Sequence, residues 1–158
     1  MRYKMYALFE GKMEVMIPSQ LQQQNNMKGL DLCQYAWAST DGKIMVNVTK
    51  GALDLKEKEL PKRLQDYYMG YIRDVQGFHC HHIRRRSING YDYAELQYQS
   101  EMMGYVFYHV LILGVFQDSE LIMSLQCMDA DRKELEHVFS NIADSIQIRK
   151  NRQSKRKA

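Results

Sequence analysis

The sequence contains few residues that interrupt regular backbone structure and no segment that would direct export. Only 2 of its 158 residues are proline, which fits long strand ladders joined by short turns. The first ten residues alternate polar and apolar side chains, so they contain neither a signal-peptide core nor a transmembrane span. We therefore expect a cytoplasmic protein, unless a leader once preceded this chain.

Cysteine and catalytic motifs are also scarce. The three cysteines, Cys33, Cys80 and Cys127, are odd in number and widely spaced, unlike the paired cysteines of a disulfide-rich secreted domain. We expect them to be reduced core residues. No nucleophile elbow, phosphate loop or metalloprotease histidine pair occurs. We expect neither enzymatic activity nor a cofactor, although catalytic sites also assemble from distant residues.

The composition is that of one folded domain with a charged tail. Apolar residues make up 45% of the chain and charged residues 26%, which is typical of a globular protein. The ten C-terminal residues include six basic side chains and no acid, so the formal charge of +3 for the whole chain leaves −3 on residues 1–148. We expect one domain over residues 1–148.

The basic tail, residues 149–158, is predicted to be disordered because it has no apolar side chains to bury. It either solubilises the protein or binds nucleic acid, anionic lipid or an acidic partner through charge. It contains no aromatic residue, so stacking on bases is not expected. A nucleic-acid partner is therefore disfavoured.

Hydrophobic periodicity predicts an α+β domain in which an antiparallel sheet packs against helices. Asn89-Gly90 between two alternating runs is the strongest hairpin signal, and apolar residues on both faces of 105–116 predict a central strand in which His109 is partly buried. Residues 19–30 are predicted to be a polar connection, with at most one helical turn and little to bury. The predicted strands are 3–10, 12–17, 33–39, 44–49, 78–88, 91–100, 105–116, 120–128 and 145–148, and the predicted helices are 61–73 and 131–143.

The order of these elements, together with several short sequences, resembles the PsbP-like superfamily. This superfamily includes the Ran-binding Mog proteins, the PsbP subunits of the photosystem and bacterial relatives such as Eag-type secretion chaperones. The resemblance extends from about Met5 to Ile148. It is carried by Ile17-Pro18, the Leu- and Tyr-rich first helix, Ile88-Asn89-Gly90 followed by Tyr93-Ala94-Glu95-Leu96, Gly104-Tyr105, and the closing segment from Phe139 to Ile146.

The resemblance implies an α/β/α sandwich around a central antiparallel sheet, and a binding or assembly role without catalysis. It implies no active-site residues. We expect the chain to depart from many bacterial members, because no export or lipoprotein leader is predicted in it.

A cluster of histidines suggests one metal-binding hypothesis. Imidazole and thiolate both suit zinc, and strand alternation would place His79 and His81 on one face, with Cys80 and His82 on the other. Only two ligands converge in this way, so His109 or His137 would have to be supplied by the fold. The alternative is a half-exposed edge strand that carries polar side chains.

Arg84 and Arg86 share one face of the same strand and could form a patch that binds an anion or a partner. The alternative is pairing across the sheet with Glu95, Gln97 or Asp92. Five tyrosines could line a ligand groove or could belong to the core and the sheet cover. These tyrosines are Tyr91, Tyr93, Tyr98, Tyr105 and Tyr108, and we select Tyr93 and Tyr105 as candidate partner-binding residues.

Three functional hypotheses follow. The preferred one is a non-enzymatic protein-binding or assembly module that engages a protein partner through a concave or edge-strand surface of the sheet. The second is a small-molecule or metal-binding domain, and conceivably an enzyme, that uses the His79–His82 strand and the aromatic face. The third is association with nucleic acid or an anionic surface through the tail.

Overall fold

The computed structural model of the protein describes residues 1–24 and 34–149. Cys33, part of the predicted connection at 19–30 and tail residues 150–158 lie outside the described residues. Short 3₁₀ turns at Glu57–Glu59 and Asp129–Asp131 precede the two helices. The elements in chain order are β1 Tyr3–Leu8, β2 Met13–Pro18, β3 Gln22–Gln24, β4 Gln34–Ala38, β5 Met45–Asp54, α1 Leu60–Asp74, β6 His79–Ile88, β7 Tyr91–Met102, β8 Tyr105–Phe116, β9 Ser119–Met128, α2 Arg132–Asp144 and β10 Gln147–Ile148.

Seven strands form the central sheet, in the order β3-β4-β5-β9-β8-β7-β6, and a smaller sheet has the order β1-β2-β10. All of their pairings are antiparallel. Helix α1 packs on one face of the central sheet, whereas α2 and the smaller sheet pack on the other. The predicted α+β class and the α/β/α sandwich implied by the resemblance are confirmed.

The β6–β7 hairpin shows how local sequence determines part of this fold. Asn89 and Gly90 have φ angles of 48° and 88°, the left-handed pair required at both central positions of a type I′ turn. Asparagine and glycine adopt this conformation with little steric cost. Ile88 and Tyr91 then pair directly across the turn, as the sequence predicts.

Strand β8 lies between β7 and β9, and its two faces belong to two apolar clusters. Leu111 and Leu113 pack with α1, whereas Val110 and Ile112 pack with α2 and the smaller sheet. None of the four is more than 4% exposed. The predicted central strand is therefore present, and His109 on its α1 face is half-buried as expected.

Each helix buries one apolar stripe. Leu60 and Leu64 are the buried residues of α1, and three tyrosines complete its packing: Tyr67, Tyr68 and Tyr71. Helix α2 buries Val138, Phe139, Ile142 and Ala143. Both stripes have the three- and four-residue spacing from which the helices are predicted.

The prediction for residues 19–30 is wrong where the structure describes them. Gln22–Gln24 forms an edge strand, β3, whose Gln23 lies opposite Trp37 of β4. Its three glutamine side chains are exposed, so the strand shows no alternation of apolar residues and forms through main-chain pairing alone. Leu21, immediately before it, is only 4% exposed and belongs to the core.

Strand β6 is one edge of the central sheet, and its ladder with β7 is irregular at His81. Cys80 pairs with Tyr98 and His82 pairs with Gln97, which leaves His81 without a partner in a β-bulge. Directly paired residues share a face, so the bulge resets the alternation along β6. In the described part of the chain, neither helix is long and apolar enough to cross a lipid bilayer.

Candidate functional site

A cleft of about 320 Å³ lies between edge strand β6 and helix α2, on the face of the sheet opposite α1. Strands β6, β7 and β8 provide its floor, and α2 provides one wall. Its lining combines charged, amide, imidazole and aromatic groups: Arg84, Arg86, Glu95, Gln97, Tyr108, Val110, Glu136, His137, Phe139 and Ser140.

Glu95 is the fixed centre of this cleft. Its side chain is only 1% exposed, and its carboxylate accepts hydrogen bonds from Arg84 Nε at 2.6 Å, from Gln97 Nε2 at 2.9 Å and from Arg86. Burial raises the pKa of Glu95, but these donors outweigh burial and the pKa lies below its usual value. The carboxylate is therefore ionised at neutral pH.

Arg86 joins the strand to the helix. Its side chain is 9% exposed, and it binds Glu95 through Nη1. Its Nη2 donates to the hydroxyl of Ser140 at 3.2 Å, to the carbonyl of Ser140 at 3.3 Å and to Asp144. Because two carboxylates and α2 engage this guanidinium, Arg86 is a structural residue of the cleft.

Arg84 is held differently, because only its Nε is engaged by Glu95. Its side chain is 42% exposed. Within residues 1–24 and 34–149, neither terminal nitrogen of Arg84 has a hydrogen-bond partner. A guanidinium with two free donors in a cleft is suited to a planar anion.

The floor beside Arg84 is aromatic and apolar. The rings of Tyr108 and Phe139 lie parallel, with centroids 6.2 Å apart, and Val110 is 4% exposed. The Tyr108 hydroxyl donates to Gln97 Oε1 at 3.1 Å. Burial raises the pKa of Tyr108 to about 12, so this phenol remains a neutral donor.

Arg84 and Arg86 are therefore in the cleft, and the cross-strand pairing with Glu95 weighed as the alternative is also present. Of the α2 residues in the cleft, His137 was considered only as a metal ligand, and Glu136 and Ser140 were not identified from the sequence. Glu136, Ser140 and Asp144 recur every four residues and so form one stripe of α2, which is the signal that could have identified them.

The two tyrosines selected as partner-binding candidates occupy opposite environments. Tyr93 is 2% exposed, so its selection as a contact residue is wrong. Gly114 on β8 leaves room for its ring, because a Cβ at that position would lie 2.4 Å from Tyr93 Cε1. Tyr105 is 60% exposed, beside Met102 and Met103 at the tip of the β7–β8 hairpin, which lies away from the cleft.

The histidine strand has only part of the geometry that the metal hypothesis assumed. His79 pairs with Gln99 and His82 with Gln97, so both lie on the α2 face, and the prediction that His82 lies on the other face is wrong. Cys80 packs with the α1 cluster, on the face opposite His79, as predicted. The rings of His79 and His81 are 5.0 Å apart. However, a guanidinium nitrogen of Arg132 lies 3.4 Å from Nε2 of His81, a position unfavourable for a cation.

Burial, followed by Arg132 and His79, lowers the pKa of His81. In the described ranges no three His, Cys, Asp or Glu side chains converge as metal ligands. His109 and His137, proposed as additional ligands, lie on the α1 face of β8 and on α2, respectively. Within residues 1–24 and 34–149, the fold therefore adds no third ligand to His79 and His81.

A serine–histidine pair that sequence reasoning missed lies on the α1 face. Ser100 Oγ and His109 Nε2 are 2.7 Å apart, and the His109 ring stacks on Tyr98 with centroids 4.5 Å apart. Burial lowers the pKa of His109 to about 4, which makes it a weak base. Ser100 is only 8% exposed, so the arrangement has the character of a buried hydrogen-bonded pair.

One basic residue assigned to the tail belongs to the folded part. Arg149 donates a hydrogen bond to Glu14 through Nε at 2.7 Å, and its main-chain N–H donates to the carbonyl of Lys12. The hypothesis of tail-mediated binding concerns residues 150–158, outside the described part, and remains a prediction.

Comparison with solved structures shows which fold this is. The chain is similar to protein PA94 of Pseudomonas aeruginosa, whose function is unknown, with TM-score 0.67 and 17% identity over 95% of this chain and 99% of that one. It is also similar to CyanoP, the cyanobacterial PsbP of Synechocystis, with TM-score 0.68 and 10% identity over 92% of each chain.

A third similar structure is the Ran-binding protein Mog1p of Saccharomyces cerevisiae, with TM-score 0.64 and 8% identity over 94% of this chain and 96% of that one. No protein-family model matches the sequence, and no curated protein is significantly similar to it. The chain has the PsbP-like fold shared with Mog1p. The predicted resemblance is thus confirmed at the level of the fold.

Proposed function

We propose that this chain is a non-enzymatic protein-binding module and that the cleft between β6 and α2 is its contact surface. The observation that carries the proposal is the state of Arg84, which Glu95 fixes at the edge of the sheet while its terminal nitrogens remain free. A preorganised arginine beside aromatic groups is a common centre of binding energy in protein interfaces.

The similar structures support a binding role without defining its partner. Mog1p is described as Ran-binding, so one protein of this fold binds a protein. The cleft itself contains no nucleophile positioned beside a base: the Ser140 hydroxyl is engaged by Arg86, and Tyr108 is neutral. Its groups are therefore suited to recognition.

Side chains of the cleft, rather than strand addition at β6, are the proposed means of contact. The bulge at His81 interrupts the edge, and Arg85 adds an exposed charge four residues further along the same strand. Bulges and charged side chains are the features by which edge strands avoid pairing with other chains.

Affinity capture with a blocked cleft tests this proposal. His137→Trp places an indole at the wall of the cleft, whereas Glu134→Trp introduces the same side chain at an exposed position of α2 outside the cleft lining. We expect a reproducible partner with the wild type and Glu134→Trp, but not with His137→Trp. Circular dichroism would establish that both variants fold.

Failure to recover any reproducible partner would refute the binding role. A partner that His137→Trp retains at wild-type level would place the contact elsewhere on the molecule.

A further inference from the structure

We propose that the cleft binds a single carboxylate that a protein partner presents beside an apolar group, with Arg84 as the anion-binding residue. This inference rests on the proposed protein-binding function and specifies the chemistry of the partner at that site.

Among the polar groups of the cleft, the guanidinium of Arg84 has terminal nitrogens that can still bind a partner. Arg86 is occupied by Glu95, Asp144 and Ser140. The carboxylate of Glu95 already accepts from three donors, so it is not available to bind a cation. A carboxylate from a partner could accept one N–H from each terminal nitrogen of Arg84 in a bidentate pair.

The bond between Arg84 Nε and Glu95 prepares the guanidinium for this contact. Glu95 is 1% exposed and belongs to the central strand ladder, so its position is fixed by the sheet. Holding Nε at 2.6 Å limits the rotation of the guanidinium. A side chain ordered before binding loses less conformational entropy when the partner arrives.

The charge around the cleft indicates a single carboxylate rather than a more highly charged anion. Three arginines at and beside the cleft are balanced by three acids. Arg84 and Arg86 pair with Glu95 and Asp144. Arg132 pairs with Glu136 at 3.4 Å. A phosphate or a nucleic-acid backbone would find no excess positive charge here. The site therefore provides one guanidinium, that of Arg84, which matches the geometry of one carboxylate.

The remaining surface of the cleft is suited to an apolar companion to the carboxylate. Tyr108 and Phe139 are each 1% exposed overall and Val110 is 4% exposed, and all three line the cleft. A volume of about 320 Å³ is near the lower end of the range for small-ligand pockets. It therefore accommodates an acidic side chain together with a neighbouring apolar side chain.

A short peptide tests the inference without knowledge of the native partner. Acetyl-Leu-Glu-Leu-amide is titrated into the full chain, and NMR follows the side-chain N–H of Arg84 and the methyl groups of Val110. We expect saturable shifts at both residues. Acetyl-Leu-Gln-Leu-amide, which lacks the charge, should bind at least about ten-fold more weakly.

Two substitutions distinguish Arg84 from general surface charge. Arg84→Gln should weaken the glutamate peptide about ten-fold or more. Arg85→Gln, which removes the arginine paired with exposed Asp92, should leave the affinity unchanged. Glu136→Gln should strengthen binding about two- to five-fold, because it removes a like charge from the cleft. A gain in affinity cannot result from a failure to fold.

Equal binding of the two peptides, no effect of Arg84→Gln, or no shift at millimolar peptide would each overturn the inference. Acetate or inorganic phosphate binding as tightly as the peptide would instead indicate a small-anion site and would also overturn it. If His137→Trp abolishes capture of the native partner while the glutamate peptide fails to bind, the protein-binding function stands and only the carboxylate assignment fails.

Discussion

Glu95 and Glu120 lie on opposite faces of the central sheet, and each binds an arginine that connects the sheet to a helix. Both are at most 2% exposed. On one face, Arg86 bridges Glu95 to Asp144 of α2. On the other, Arg63 of α1 donates to Glu120 through Nε at 2.6 Å. The two helices are thus attached to the sheet by the same kind of interaction, in which an arginine binds a buried carboxylate.

Replacement of Glu95 by glutamine should be strongly destabilising. Arg86 would lose its buried counter-charge, and removing one partner of a buried ion pair typically costs about 3 kcal/mol or more of the free energy of unfolding. Asp92→Asn is the control, because Asp92 pairs with Arg85 at 3.5 Å in an exposed position and should cost less than about 1 kcal/mol. Urea denaturation measures both. Equal losses would show that Glu95 has no special structural role.

Glu95→Gln and Glu120→Gln should lower the free energy of unfolding additively. The two residues point to opposite faces and belong to β7 and β9, which are separated by β8, so their strands are about 9.5 Å apart. Sites at such a distance that share no partner are additive to within about 0.5 kcal/mol. A double-mutant cycle in urea provides the measurement. A coupling above about 1 kcal/mol would reveal an interaction through the sheet.

Two glycine-to-alanine substitutions should change stability in opposite directions. At Gly114 the added methyl group would lie 2.4 Å from the ring of Tyr93, and such overpacking costs about 1–3 kcal/mol. At Gly70, in α1, nothing lies within 4 Å of the added Cβ, and alanine in a helix is favoured by about 0.5–1 kcal/mol. Thermal melting should show a lower Tm for the first variant and a higher Tm for the second. A shift of the same sign in both would contradict the packing described for Tyr93.

The half-buried His109 should make the protein less stable in mild acid. Its folded-state pKa of about 4 lies below the ordinary value of 6.5, so the unfolded chain binds the proton more readily. The stability that this group provides is complete above pH 6.5 and is lost as the pH falls towards 4, with a slope approaching about 1.4 kcal/mol per pH unit.

The pH effect is measured by urea denaturation at a series of pH values, with His109→Gln expected to have the shallower dependence. His81→Gln is the necessary second variant, since the pKa of His81 is also lowered and its protonation therefore opposes folding in the same direction. Identical slopes for the wild type and His109→Gln would rule out this role for His109.

The parts of the fold that depend on local chemistry could be predicted from the sequence. Asn89 and Gly90 prefer the backbone angles of their turn, and the apolar stripe of α2 follows helical spacing. Strand β3 could not be predicted, because Gln22–Gln24 buries no side chain and is defined only by its main-chain pairing with β4. The bulge at His81 likewise has no local signal.

Only the strand residues of the candidate site could be predicted from the sequence, because the α2 residues depend on tertiary packing. Arg84 and Arg86 are two residues apart on one strand and so share a face, and Glu95 lies opposite Arg84 in the same hairpin. These relationships can be deduced from the sequence. The contribution of Ser140 and Asp144 depends on the face of the sheet against which α2 packs. That choice results from tertiary contacts, which an amphipathic stripe alone does not specify.

The pairing of β5 with β9 has a consequence for synthesis of the chain. Strand β5 ends at Asp54, but its neighbour β9 begins only at Ser119. Val46 and Val48 pair with β4 on one side, but their other side has no strand until most of the polypeptide has left the ribosome. The nascent N-terminal part therefore presents an open, apolar sheet edge during translation, which is the kind of intermediate that aggregates or recruits chaperones. Ribosome-bound chains stalled before Ser119 should be more sensitive to protease within β4 and β5 than chains stalled after Met128.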